Sequence, residues 1–201
     1  MTIKTIIWDI GGVLERTEDR SYRNQLAKQL NYEPGALEDL FFGKTDNHRL
    51  QFGVIHMPEH QRNIARTLGK TPEEIADYFE TFFLGDRLDT DLVDYIRSLK
   101  KDHTTAVLSN YSTRLRTKIN QLWEIADAFD HIIISAEVGM MKPDPAIYHL
   151  ALERTESLPS EAVFIDDSPE NIVSAQAVGM HAVQFTTPQA AIQQLQDLLG
   201  K

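Results

Sequence analysis

The sequence predicts an α/β fold: a parallel sheet buried on both faces, with an α-helical insertion after its first strand. Three observations predict it. Five short apolar runs, residues 5–8, 105–108, 131–134, 162–165 and 182–185, are continuous rather than alternating, the pattern of strands covered on both sides. Helical patterns flank most of them, as the crossovers of a parallel sheet require. Residues 9–104 separate the first two runs, far more than a simple crossover needs.

The elements follow in order. Residues 5–8 form the first strand and deliver Asp9 into Ile10-Gly11-Gly12-Val13. Residues 18–30, 34–42, 58–68 and 72–83 read as helices. Thr71-Pro72-Glu73-Glu74 is a helix start, with Thr71 as N-cap, Pro72 in the first turn and Glu74 closing a capping box. Residues 91–99 return the chain to the sheet. Residues 113–122 and 146–154 suit crossover helices. Residues 171–178 end at Gly179, a helix stop. Ile192, Leu195, Leu198 and Leu199 fit a final amphipathic helix. The predicted division is a core of residues 1–15 and 88–201 and a helical cap of residues 16–87. An insertion at that point hangs over the strand ends, where open α/β sheets bind ligands.

The chain has 201 residues, 42% hydrophobic and 25% charged, an ordinary globular composition. Its net charge is -10, which disfavours nucleic acid and anionic membrane as partners. An anionic substrate must then meet a locally positive site or a bound cation. There is no cysteine, which excludes disulfides, thiolate metal sites and cysteine nucleophiles. Met1-Thr2-Ile3-Lys4 leads straight into the first strand with no signal-peptide pattern. No apolar run is long enough to span a bilayer. The expected location is cytoplasmic, as a monomer or homodimer.

Carboxylates mark two strand ends. Asp9 follows the first run, and Asp166-Asp167-Ser168-Pro169 follows the fourth. Asp9 alone is an ordinary turn residue, and Ser168-Pro169 alone an ordinary helix start. Adjacent carboxylates at buried strand ends repel unless a cation or donors compensate. Mg²⁺ is the natural partner, since it takes oxygen ligands and keeps several waters. Ser109-Asn110 ends the second run with small polar donors. Lys142 lies between Met141 and Pro143, in a stretch that Pro143 and Pro145 stiffen; there its ammonium is placed to hold phosphate or offset the acidic cluster.

These four segments together resemble the haloacid dehalogenase-like superfamily of hydrolases. Its motifs correspond to Trp8-Asp9-Ile10-Gly11-Gly12-Val13, Val107-Leu108-Ser109-Asn110, the stretch from Gly139 to Tyr148 anchored by Lys142-Pro143, and residues 164–171, Phe-Ile-Asp-Asp-Ser-Pro-Glu-Asn. The resemblance covers nearly the whole chain. It implies a Rossmann-like core with a helical C1 cap. The Asp-x-Gly-Gly start and Ser-Asn motif are most similar to a branch of sugar-phosphate phosphatases, including α-D-glucose-1-phosphate phosphatase. The phosphatase domain of soluble epoxide hydrolases is also similar. By that resemblance Asp9 is the nucleophile. Asp9, the Gly11 carbonyl and Asp166 hold Mg²⁺, with Asp167 a further carboxylate of the metal site. Ser109, the Asn110 backbone and Lys142 bind the phosphoryl oxygens. The substrate implied is a small phosphorylated metabolite, such as a sugar phosphate.

One position departs from the family pattern. Most family phosphatases carry an acid two residues after the nucleophile, where this chain has Gly11. A proton-transfer residue contributes about 10²- to 10⁴-fold in rate. Its absence favours substrates with good leaving groups, such as anomeric or acyl phosphates. Two other readings remain. One is metal-independent 2-haloacid dehalogenation on Asp9, which Asp166-Asp167 and the missing tyrosine at position 11 oppose. The other is a weakly catalytic binding or regulatory member of the fold. His56-Met57-Pro58-Glu59-His60 mimics a zinc motif, but Pro58 reads as a helix start and no third ligand is evident. Glu15, Arg16 and Arg49 are further polar groups near the loop or in the cap; the solvated reading is favoured for both arginines.

Overall fold

The computed structural model describes residues 2–200. Five parallel strands form the main sheet: β1 (Thr5–Trp8), β4 (Thr104–Ser109), β5 (His131–Ile134), β6 (Ala162–Asp166) and β7 (His181–Gln184), in the order β5-β4-β1-β6-β7. The predicted runs match them to within a residue at either end. The chain builds outward from β1 to one side, then crosses back and builds to the other. β1 therefore sits at the switch in strand order, where the ends of its neighbours splay and leave a crevice.

Strand side chains alternate between the two faces. Ile6, Trp8, Val107, Val163 and Ile165 pack on one face with Leu92, Ile96, Leu115 and Leu195. Those partners come from α6 (Thr90–Leu99), α7 (Arg114–Thr117) and α11 (Pro188–Leu199). Ile7, Ala106, Leu108 and Phe164 pack on the other with Ile147, Tyr148, Ala151 and Ala175, from α9 (Pro145–Arg154) and α10 (Pro169–Ala177). Both faces being covered explains the continuous apolar runs.

Between residues 17 and 86 the chain forms five helices: α1 (Ser21–Gln29), α2 (Pro34–Phe42), α3 (Lys44–Gln51), α4 (Met57–Leu68) and α5 (Pro72–Phe83). They bury a cluster of their own, including Leu26, Leu37, Phe41, Ile64, Ile75, Phe79 and Phe82. The Thr71 capping box forms as predicted: Glu74 N–H donates to Thr71 Oγ1 at 3.2 Å, and Thr71 N–H to Glu74 Oε2 at 2.8 Å. α3 was not expected. Its polar sequence carries no apolar stripe. Two short strands also went unpredicted: β2 (Glu15–Thr17) and β3 (Asp86–Leu88) pair antiparallel where the chain leaves the sheet layer and returns. Three residues are too few for an alternation to show.

The predicted helix over residues 113–122 is interrupted. α7 gives way at Lys118–Leu122 to a wide turn with i to i+5 bonding, closed by Trp123 N–H on the Lys118 carbonyl at 2.8 Å. Such turns re-aim side chains; Lys118 and Leu122 both line the cavity described below. Among the described residues, no helix is long and apolar enough to cross a membrane.

Candidate active site

Asp9 sits one residue beyond β1, its N–H bonded to the Ile165 carbonyl at 2.9 Å. The register places Trp8 beside Val107 and Ile165. Asp9, Ser109 and Asp166 therefore emerge together at the C-terminal ends of three adjacent strands. Ser109 is buried at the end of β4. Asp9, Asp166 and Asp167 each offer a carboxylate oxygen, and these oxygens lie within 4.8 Å of one another.

Lys142 enters from the loop between the short helix α8 (Ser135–Val138) and α9. It is only 3% exposed. Its Nζ donates to Asp166 Oδ2 at 2.6 Å and lies 2.9 Å from Asp9 Oδ1. It also rests 5.2 Å from the centre of the Phe164 ring. Asn110 holds this loop in place. Its Nδ2 donates to the Lys142 carbonyl at 2.8 Å, and its Oδ1 accepts from the Lys142 N–H at 2.9 Å. The Asn110 side chain is thus a strut for Lys142, a role the sequence did not disclose.

Asp166 is fully buried and held from two further sides. Ser168 N–H donates to its Oδ1 at 2.8 Å, and Asn171 Nδ2 donates to both oxygens at 2.9 and 3.1 Å. Asn171 lies in the fourth motif, yet its bond to Asp166 could not be read there. Ser168 starts α10 ahead of Pro169 as expected, but its side chain makes no cap bond.

The electrostatics follow from burial. Burial pushes Asp9 up to about 6; Lys142 opposes that rise and Asp166 adds to it. Asp167 is also raised, by burial first and Asp166 second. Burial alone depresses the Lys142 ammonium, but Asp9 and Asp166 outweigh it and hold it above the usual lysine range. Three carboxylates face one ammonium. Asp9 Oδ1 is buried, and the Lys142 ammonium 2.9 Å from it is shared with Asp166. A hard divalent cation fits this set: all-oxygen donors and net negative charge.

The glycines of the first loop differ sharply. Gly12 has φ +76°, and a Cβ there would lie 2.2 Å from Asp167 Oδ2. Only glycine fits, so the backbone can approach the acidic cluster. A Cβ on Gly11 would meet nothing within 4 Å.

A second cluster flanks the loop. Glu15 pairs with Lys118, whose Nζ also donates to Tyr111 Oη at 3.2 Å and sits 4.4 Å from the Trp123 ring centre. Burial raises Glu15, and Lys118 pulls it back. Sequence gave no sign of Lys118, which lies 103 positions from its carboxylate. Arg16 is pinned to Asp89 at 2.6 Å. Arg49 is exposed beside Asp46. His56 only precedes α4, while His60 is buried with Nε2 on the Phe41 carbonyl at 2.9 Å. Among the described residues the acidic trio is the metal-competent group, and these histidines are not part of it.

A family model for haloacid dehalogenase-like hydrolase matches residues 3–179. The chain belongs to the haloacid dehalogenase-like hydrolases. This hydrolase is 29% identical over 203 residues to bifunctional epoxide hydrolase 2 of Rattus norvegicus, covering 95% of the chain but 36% of that protein. It therefore spans about a third of the rat protein's length. It is 27% identical to a sesquiterpene phosphatase of Aspergillus oryzae, over 99% of the chain and 98% of the relative. Among solved structures, a magnesium complex of a HAD family enzyme from Bacteroides thetaiotaomicron superposes with a TM-score of 0.76, at 25% identity, over 92% of this chain and 94% of that one.

Proposed function

We propose that this hydrolase is a Mg²⁺-dependent phosphatase that transfers the phosphoryl group of a small phosphorylated metabolite to Asp9. The observation that carries the reading is the imbalance at the strand ends: three carboxylates with oxygens within 4.8 Å of one another, against one buried ammonium. Asp9, the Gly11 carbonyl, Asp166 and Asp167 are the groups that would hold Mg²⁺. Bound there, it would neutralise charge on the nucleophile and on the phosphoryl oxygens.

An Asp9 carboxylate oxygen attacks phosphorus, the ester P–O bond breaks, and the alcohol leaves with its electron pair and takes up a proton. Water then attacks the aspartyl phosphate, releasing inorganic phosphate and restoring the carboxylate. Both steps set anion against anion, so positioning and charge neutralisation dominate. Ser109, the Asn110 backbone and Lys142 bind the phosphoryl oxygens. Asn110 through its side chain, and Asn171 and Ser168 through Asp166, keep those groups oriented. Gly11 supplies no proton, so the alcohol must be a good leaving group or draw its proton from water. Residues 16–87 act as a cap over a core of residues 1–15 and 88–201. Relatives named as phosphatases and the magnesium complex of a structural neighbour support this reading.

The test is a panel of phosphorylated metabolites and 2-haloacids, each with and without Mg²⁺, for wild type and Asp9→Asn. Mg²⁺-dependent phosphate release is expected, falling on the order of 10⁴-fold or more in Asp9→Asn. Metal-independent halide release would overturn the proposal.

A further inference from the structure

A cavity of about 760 Å³ lies between the helical insertion and the strand ends, within the size range of sites that enclose a small ligand. It reaches Gly11, Gly12 and Asn110, the loops on either side of Asp9. Five basic side chains line it: Arg16, Arg20, Arg23, Arg114 and Lys118. Four are already matched: Arg16 with Asp89 at 2.6 Å, Arg23 with Asp86 at 2.7 Å, Arg20 with Glu38 and Lys118 with Glu15. Arg114 has no ion-pair partner among the described residues, in a chain whose net charge is -10.

Arg114 opens α7, four residues after Asn110, in the stretch that leaves β4 through Ser109. Its charge is felt at the Tyr111 phenol, which burial and then Glu15 raise and which Lys118 and Arg114 pull back. The guanidinium therefore belongs to the cavity wall. Two residues earlier, Ser112 lines the same cavity. It is 5% exposed, and its Oγ is buried without a hydrogen-bond partner. A buried hydroxyl left so is costly unless a ligand completes it. Together they offer an O–H and a planar fork of N–H groups, the donor set of a carboxylate. One unmatched positive charge suits a monoanion better than a second phosphate. Glu80, exposed on α5 and also unpaired among the described residues, makes a dianion less suited still.

We infer that the leaving half of the substrate carries a carboxylate, held by Arg114 and Ser112 while the phosphate sits at Asp9. This rests on the phosphatase reading above and deepens it: the substrate class is an acyl or anomeric phosphate with a second, carboxylate end. That class keeps the good leaving group that Gly11 calls for. Thr17, Gln51 and Gln61 line the same cavity with no side-chain partner among the described residues, and serve neutral polar groups of the same ligand. Arg114 thus sets specificity and takes no part in the bond-breaking step.

The experiment is calorimetric binding of phosphonocarboxylates from 3-phosphonopropionate to 6-phosphonohexanoate, each against its terminal carboxamide, with Mg²⁺ in excess. At the best spacer length the carboxylate should bind about tenfold tighter than its amide, the worth of a charge-assisted hydrogen bond. Arg114→Gln should bring that ratio to about one, and Ser112→Ala should weaken the carboxylate about threefold. Equal affinity of carboxylate and amide at every length would overturn the inference, as would a preference that survives Arg114→Gln. Glu80→Gln separates a ligand from a partner within the protein. A carboxylate preference that emerges only in that variant would make Glu80 the partner of Arg114 and equally overturn the inference. Phosphate release in the panel above reports the phosphatase reading separately. A carboxylate preference without Mg²⁺-dependent release sinks that reading alone; release with equal carboxylate and amide binding sinks the carboxylate inference alone.

Discussion

Lys142 and Lys118 have much the same company. Each ammonium meets a carboxylate and lies over an aromatic ring, Phe164 at 5.2 Å and Trp123 at 4.4 Å. They differ in balance. Lys142 faces Asp9 and Asp166, with Asp167 close behind, and is sealed from solvent. Lys118 faces Glu15 alone, with a neutral phenol beside it. The second cluster is electrically complete and needs nothing more. The first is stable only as a compromise, with Asp9 pushed up toward neutrality. Burying like charges without compensation is costly, so the incomplete cluster is the one of the two that could hold a cation.

Replacing each lysine separates the two most strongly. Lys142→Met leaves two carboxylates buried without their counter-charge, which costs about 3–5 kcal/mol. Urea denaturation should show that loss, and Mg²⁺ should return part of it. An unchanged midpoint, or no response to Mg²⁺, would break the comparison.

The pH dependence comes next. The folded state raises Asp9 to about 6, whereas the unfolded chain releases that proton near 4, roughly the ordinary aspartate value. Between these values the folded protein holds a proton the unfolded chain lacks. The stability Asp9 contributes is therefore present below about pH 4 and lost as pH rises through about 6. The upper bound is about 3 kcal/mol for the metal-free protein. Denaturation from pH 4 to 7 should show the decline, and Asp9→Asn should flatten it. Mg²⁺ affinity must run the opposite way, strengthening as pH rises through 6. An affinity that is flat across this range would remove Asp9 from the metal site.

Lys118→Met should have the smallest effect, about 1–2 kcal/mol, from one unpaired and partly solvated carboxylate. Its loss should be insensitive to Mg²⁺. Rescue by Mg²⁺ equal to that of Lys142→Met would erase the distinction between the clusters.

The parallel sheet was legible because burial on both faces writes continuous apolar runs, and the strand register then brings Asp9, Ser109 and Asp166 together. Lys142 stood out through its prolines. The remainder left weak traces for physical reasons. β2 and β3 have three residues each, too few for a period. α3 has no apolar stripe to reveal it. The Glu15 and Lys118 pair depends on a wide turn and on tertiary closure, so neither residue carries a local signal. Asn110 and Asn171 were within reach, since both lie in the motifs. Their work on Lys142 and Asp166 is visible only in three dimensions.

The small ribbon of β2 and β3 has a consequence for how this hydrolase can be taken apart. Thr17 and Asp86 are direct partners across it, so the chain departs and returns within one rung of a ladder. Everything between them could be excised and the gap closed by a two-residue Asn-Gly hairpin turn. The helices removed carry their own buried cluster, from Leu26 to Phe82, and the strands left behind keep their order. The molecule thus has a natural splice point, at which a different helical module can be grafted above the same carboxylates without re-routing a single strand.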